Sequence, residues 1–133
     1  MYYFAYGSNL DKKQMKERCP EYRPMTTAIL PNYRLIFSGW SRAWHGGVAT
    51  IRPFKGDKVK GAIYEITDKD LAKLDVYEGY PGNYTRMNVR VFDDGGKTWD
   101  VVTYVKTGKI EETQPSKEYA DTIRRGYHDW EIT

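Results

Sequence analysis

The sequence predicts an α+β fold: a small, largely antiparallel sheet, curved or barrel-like, with a few helices. Three observations predict it. Short runs rich in β-branched and aromatic residues come in blocks, strands then one helix, more strands then one helix. Arg86–Phe92 alternates well, with Met87, Val89 and Val91 on one face. The residues between the runs, among them Pro31-Asn32, Gly56-Asp57 and Asp94-Gly95-Gly96, are turn formers.

Taken in order, Tyr2–Tyr6 reads as the first strand. Gly7-Ser8-Asn9 breaks it, Ser8 or Asn9 is placed to cap a helix over Asp11 to Arg18, and Pro20 stops that helix. Thr26–Leu30 and Tyr33–Ser38 read as strands joined at Pro31-Asn32. Gly39 to Gly47 is a loop carrying Trp40, Trp44 and His45. Val48–Ile51 is a short strand ended by Pro53, and Val59–Ile66 is the next, beyond the turn at Gly56-Asp57. Thr67 is the expected N-cap of a helix with Asp68 and Asp70 in its first turn and Leu71, Leu74 and Tyr77 on one face. Gly79 ends it, and Tyr80-Pro81-Gly82-Asn83 is a loop. Arg86–Phe92 and Trp99–Lys106 form a hairpin. Ser116 caps a last helix over Lys117–Arg125, stopped by Gly126. No repeat, linker or low-complexity segment interrupts this order, so the expectation is one domain over residues 1–133.

Such a length buries about two-thirds of the unfolded surface, enough for a core. Net charge is +3 with basic and acidic residues interspersed, which argues against a nucleic-acid groove. The 12 tyrosines and 4 tryptophans suit a core whose edge becomes a polar pocket. Cys19 is the only cysteine, which excludes an internal disulfide and a multi-cysteine zinc site; beside Pro20 it reads as packing. No apolar run reaches membrane-spanning length and no signal-peptide pattern is present, so the expected location is cytoplasmic.

Two stretches invite chemistry. A strand that runs through Gly7-Ser8-Asn9 into a helix offers unpaired N–H groups and close backbone approach, suited to a carboxylate, a phosphate or an oxyanion. The same spacing also fits an ordinary capped turn. Glu78, in Leu74-Asp75-Val76-Tyr77-Glu78-Gly79, falls at a helix C-terminus, where the dipole disfavours a negative charge. Flanking tyrosines that exclude water would raise its pKa further, towards that of a general base, although a solvated glutamate has the same pattern. His45 and His128 are too far apart to specify a metal site. Tyr119, in the first turn of the last helix, either packs or points its hydroxyl into a pocket.

These residues together resemble the γ-glutamylcyclotransferase family, which includes the AIG2-like proteins. The resemblance covers nearly the whole chain. It runs through Phe4-Ala5-Tyr6-Gly7-Ser8-Asn9-Leu10, Trp44-His45-Gly46-Gly47-Val48-Ala49-Thr50-Ile51 and Val59-Lys60-Gly61-Ala62-Ile63-Tyr64. It continues through Leu74-Asp75-Val76-Tyr77-Glu78-Gly79 and Pro115-Ser116-Lys117-Glu118-Tyr119. It implies a barrel-like α+β fold with the Tyr6–Leu10 loop and Glu78 facing one cavity. Members turn a γ-glutamyl amide into 5-oxoproline and a free amine, the substrate's α-amine attacking its own γ-carbonyl. The family's base maps onto Glu78 and its substrate loop onto Tyr6, Gly7, Ser8, Asn9 and Leu10. Tyr119 matches a tyrosine that lines the pocket in some members. The implied chemistry needs no metal or organic cofactor, and the implied partner is a small γ-glutamyl molecule, not nucleic acid or membrane; a homodimer is compatible. The leaving group stays open: an amino acid, the lysine of an isopeptide, or another amine. Trp40, Arg42, Trp44 and the Tyr80–Tyr84 loop are the expected selectivity elements. Arg42 and Arg86 are either partners for a leaving-group carboxylate or surface charges. A rival from another class is a binding or sensor module of the same fold that does not turn its ligand over.

Overall fold

The first strand, β1, is Tyr2–Ala5, and its alternating side chains feed two separate cores. Phe4 and Tyr6 join Leu30, Ile51, Ile63 and Val91 in one of them. Tyr3 and Ala5 join the other, with Leu10, Met15, Leu71 and Leu74. The computed structural model describes residues 1–133. After β1 come a 3-10 turn over Ser8–Leu10, helix α1 (Lys12–Arg18), strands β2 (Arg23–Ser41) and β3 (Gly46–Glu65), helix α2 (Asp68–Glu78), strands β4 (Tyr84–Asp93) and β5 (Thr98–Lys106), and helix α3 (Lys117–Trp130).

The five strands close into a barrel in the order β1-β3-β2-β4-β5. β1 pairs antiparallel with β3, from Tyr2 opposite Glu65 to Ala5 opposite Ala62. β2 crosses to β4 at Ala28 and Ile29, β4 and β5 form a regular hairpin, and β5 meets β1 in parallel at Tyr3 and Val102. The expected α+β architecture with a largely antiparallel, barrel-like sheet is therefore what forms, with one parallel seam. The closing seams are short, so the β2–β3 and β4–β5 hairpins extend well beyond them.

The structure corrects the expected turns. Pro31-Asn32 and Gly56-Asp57 do not separate strands; β2 and β3 each run through them as one long hairpin arm. Asn32 (φ 64°) and Gly56 (φ 88°) face each other, and the Gly56 N–H donates to Asn32 Oδ1 at 3.1 Å. The register shifts there, between Pro31 and Tyr33. Asn, Gly and Pro serve a bulge as readily as a turn, so composition alone does not separate a bend from an end. Pro53 does not end β3 either; it sits opposite Tyr33, beside that shift. The real connection of the hairpin lies between Ser41 and Gly46, where Trp40 to Trp44 reach the barrel mouth.

The caps fall where expected. Thr67 Oγ1 accepts from the Asp70 N–H at 3.1 Å, and Asp70 Oδ2 accepts from the Thr67 N–H at 3.2 Å, a reciprocal capping box. Ser116 Oγ accepts from the Tyr119 N–H at 3.1 Å and starts α3. Cys19 is fully buried, and burial pushes its thiol up to about 12, so it packs rather than reacts. No helix is long and apolar enough to cross a membrane.

Gly126 does not stop α3, which continues to Trp130 and ends at left-handed Glu131 (φ 57°). A Cβ at Gly126 would lie 2.5 Å from Leu10 Cβ and 2.6 Å from the Asp11 nitrogen. This glycine lets α3 press against the backbone that follows β1. Gly126→Ala would gain about 1 kcal/mol of helix propensity. The backbone contact outweighs that gain, because overpacking against unyielding atoms costs about 1–3 kcal/mol. The expected outcome in urea unfolding is a net loss of up to about 2 kcal/mol; a stabilised variant would show that α3 is free to move outward.

Candidate active site

The chain that leaves β1 at Tyr6 lines one end of a cavity of about 540 Å³ at the barrel mouth. Gly7 has φ −116° and ψ −137°, so it is not glycine for the sake of a left-handed backbone. Space is short there: a Cβ would sit a tight 3.1 Å from Ala49 Cβ and in ordinary contact, 3.5 Å, with the Tyr119 hydroxyl. The first bond of the following 3-10 turn runs from the Leu10 N–H to the Gly7 carbonyl at 3.1 Å. The N–H groups of Ser8 and Asn9 precede it, so the turn provides no acceptor for them.

Neither Ser8 nor Asn9 caps α1, contrary to expectation; Asp11 holds the N-cap position without a side-chain bond. Their side chains are engaged elsewhere. Gln14 Nε2 donates to Ser8 Oγ at 2.7 Å and to Asn9 Oδ1 at 3.0 Å. Arg18 Nη1 donates to Asn9 Oδ1 at 3.1 Å, and Asn9 Nδ2 donates to the Tyr3 hydroxyl at 2.9 Å. Gln14 and Arg18 lie four residues apart on one face of α1, which thereby buttresses the loop. Leu10 faces away: it is fully buried in the second core and does not line the cavity.

Glu78 closes the same cavity from the end of α2. Gly79 in the left-handed conformation (φ 65°) terminates the helix there. The Glu78 side chain is 18% exposed and accepts no hydrogen bond from the protein; Arg18 Nη1 is 3.9 Å from its Oε1. Burial pushes its carboxyl up to about 7, and the Arg18 charge opposes that rise.

Of the tyrosines flanking Glu78 in sequence, Tyr77 lines the cavity and Tyr80 does not. Tyr77 is 57% exposed, off the buried face of α2, and its ring lies 4.6 Å from the Arg18 guanidinium. Tyr80 stacks with Arg86 at 4.2 Å. The buried part of the wall is Tyr3 and Tyr6 beside β1, Tyr104 of β5 and Tyr119 of α3, with half-buried Tyr84 of β4. Burial raises the pKa of all five, and the Glu78 charge adds to the rise. Their hydroxyls are also committed. Tyr6 donates to the Tyr104 carbonyl, Tyr84 to the Ala49 carbonyl at 2.8 Å and Tyr104 to Asp75 Oδ1 at 2.6 Å. Tyr119 accepts the Ala49 N–H at 3.0 Å. The wall is neutral at physiological pH and stiff.

Of the residues singled out in the sequence, Tyr6, Gly7, Ser8, Asn9, Glu78 and Tyr119 meet in this cavity, with Trp40, Arg42 and Trp44 at the hairpin tip. Arg86 does not join them; it is drawn 3.5 Å from Asp75. His45 and His128 stay apart, and no group of three His, Cys, Asp or Glu side chains converges as metal ligands. Sequence reading missed Arg18, which joins loop to carboxylate, and Lys106, which ends β5 in the cavity. The signal for Arg18 was available in its spacing from Gln14, on the helix face that looks back at the loop. For Lys106 it was the period of two from Tyr104.

Comparison with known proteins is decisive about kinship. The family described as "Gamma-glutamyl cyclotransferase, AIG2-like" matches residues 3–131. The chain belongs to this γ-glutamyl cyclotransferase family. The gamma-glutamylcyclotransferase of Homo sapiens is 35% identical over 129 residues, covering 93% of this chain and 68% of that protein. That of Mus musculus is 33% identical over the same length, with the same coverage. A solved structure of a gamma-glutamyl cyclotransferase superposes with a TM-score of 0.93 at 32% identity, over 98% of this chain and 79% of that one. The closed barrel is thus the γ-glutamyl cyclotransferase fold.

A carboxyl held near 7 in the folded state, against about 4.5 in the unfolded chain, also makes a stability statement. The folded state prefers the protonated form, so stability falls as pH rises from about 4.5 to 7 and stays reduced above that. The loss is about 3 kcal/mol. Glu78→Gln has no such charge to bury. It should match the wild-type chain in unfolding free energy at pH 4 and exceed it increasingly up to pH 8. Equal stabilities at pH 8 would mean that the carboxylate is solvated.

Proposed function

We propose that this cavity catalyses the cyclisation of a γ-glutamyl amide to 5-oxoproline with release of an amine, Glu78 acting as general base and then general acid. The single observation that supports the role of Glu78 is a buried carboxyl, poised near neutrality and bound to no donor of the protein, in the same cavity as the Gly7–Asn9 loop. The activity class is that of the family to which the chain belongs.

The step balances within one substrate molecule and one side chain. The α-amine nitrogen attacks the γ-carbonyl carbon, and a C–N bond forms as Glu78 takes the amine proton. The oxygen becomes an oxyanion. The intermediate then collapses, the original amide C–N bond breaks, and Glu78 returns the proton to the leaving nitrogen. The reaction is intramolecular, so the protein has one molecule to fold, and alignment of this kind is worth up to about 7–11 kcal/mol in the best cases. The N–H groups of Ser8 and Asn9 are suited to grip the glutamyl carboxylate or the oxyanion. Tyr6 and Tyr119 pack around the glutamyl chain, and Leu10 serves from beneath by fixing the turn.

The leaving group faces the hairpin tip and the end of β5. The cations there, Arg42 and Lys106, have no acidic partner within the protein. They favour a leaving amine that carries a carboxylate, an amino acid, over one that carries a positive charge.

The test is a panel of a γ-glutamyl amino acid, a γ-glutamyl alkylamide and γ-glutamyl-ε-lysine, assayed for 5-oxoproline. The expected order of kcat/KM puts the γ-glutamyl amino acid first. Glu78→Gln should lower kcat on the best substrate by about 10²-fold or more while ligand binding persists. Binding without any 5-oxoproline from the wild-type chain would instead make this a ligand-binding module.

A further inference from the structure

We infer that Arg18 is a positioning residue of the reaction: it ties the substrate loop to the base and supplies the positive charge that faces Glu78. The inference rests on the cyclotransferase reading above and goes beyond its assignment of roles.

The geometry is specific. Arg18 closes α1, and its side chain is 16% exposed. Nη1 reaches two parts of the site at once, Asn9 Oδ1 at 3.1 Å and Glu78 Oε1 at 3.9 Å. The Tyr77 ring lies 4.6 Å from the guanidinium carbon and limits where it can swing. One side chain therefore bridges the loop after β1 and the end of α2, two segments nearly 70 residues apart that no other ion pair or side-chain hydrogen bond links directly. Asn9 in turn holds Tyr3, so the Arg18 contact continues into the tyrosine wall.

The groups facing Glu78 from every packed element make the charge argument one-sided. Tyr3 and Tyr6 of the β1 segment, Tyr84 of β4, Tyr104 of β5 and Tyr119 of α3 all stay protonated at neutral pH. On α2 itself Asp75 is taken by Tyr104 and Arg86. Arg42 and Lys106 share the cavity, but Arg18 is the cation that pairs with Glu78. Without it, a desolvated carboxyl would hold its proton well above neutrality and cease to be a base. The separation of 3.9 Å also suits the cycle. It is too long for a hydrogen bond that would occupy the basic oxygen, and short enough for the charges to interact strongly.

The experiment compares wild type, Arg18→Met and Arg18→Lys by two readouts. The first is the titration midpoint of the Glu78 carboxyl, from 13C NMR of glutamate-labelled protein, assigned with Glu78→Gln. The second is the acid limb of kcat/KM. In Arg18→Met both midpoints should rise by about 1–3 units, the range for losing an opposite charge at this distance. At pH 6 that is a loss of about tenfold or more in kcat/KM. Arg18→Lys keeps the charge and loses the Nη1 bond to Asn9. Its midpoints should stay near wild type while KM rises. An unmoved Glu78 midpoint in Arg18→Met, or an equal displacement in Arg18→Lys, overturns the inference. The NMR readout needs no turnover, so a wild-type chain that makes no 5-oxoproline contradicts the cyclotransferase reading alone, and the Arg18 result is still read.

Discussion

The burial of one carboxylate organises this molecule. Glu78 sits where a helix ends, where the dipole disfavours its charge, inside a wall of tyrosines whose hydroxyls already have partners. Any solvated glutamate would be more comfortable. The fold maintains the discomfort by closing the barrel around it. β1 and the residue after it supply Tyr3 and Tyr6, β5 supplies Tyr104, the β2–β3 hairpin covers the mouth, and α3 brings Tyr119 onto Ala49. Strain of this kind persists only where the surroundings over-determine it, and here each tyrosine is fixed by the backbone or by a buttressing side chain.

Two cores make that closure possible. Because β1 alternates, Phe4 and Tyr6 pack in one core and Tyr3 and Ala5 in the other. The two residues nearest the site, Tyr3 and Tyr6, thus belong to different packing units. The loop between them and α1 is then held from below by Gly126, whose missing side chain admits the Leu10–Asp11 backbone. Tilting α3 would therefore disturb Tyr119 and the loop together. Packing, rather than the sequence of the loop alone, decides where Ser8 and Asn9 stand.

The sequence was most informative where local chemistry and tertiary context agree. The capping box at Thr67, the Ser116 cap, the β4–β5 alternation and the glycine stop at Gly79 depend on neighbours within a few residues, and all form as the residues imply. It misled where one residue type serves two purposes. Asn32 and Gly56 look like turns and act as a bulge; Gly126 looks like a helix stop and acts as a contact surface. Ser8 and Asn9 look like caps, but Gln14 and Arg18 claim their side chains. For the cavity, Glu78 and Gly7–Asn9 were visible because each has a local oddity. The tyrosine wall was not, since five tyrosines scattered from Tyr3 to Tyr119 become neighbours only when the barrel closes.

On the proposed mechanism the Gly7–Asn9 backbone holds the carboxylate of the glutamyl unit whose α-amine, on the same carbon, Glu78 deprotonates. A crystal structure of the protein with 5-oxoproline bound tests it most directly. The lactam should lie within hydrogen-bond distance of the Glu78 carboxyl and the product carboxylate against the Gly7–Asn9 backbone, with the Tyr119 ring alongside. Density for the ligand elsewhere on the molecule, or in the cavity but with its carboxylate turned to Lys106 and away from the loop, would contradict it.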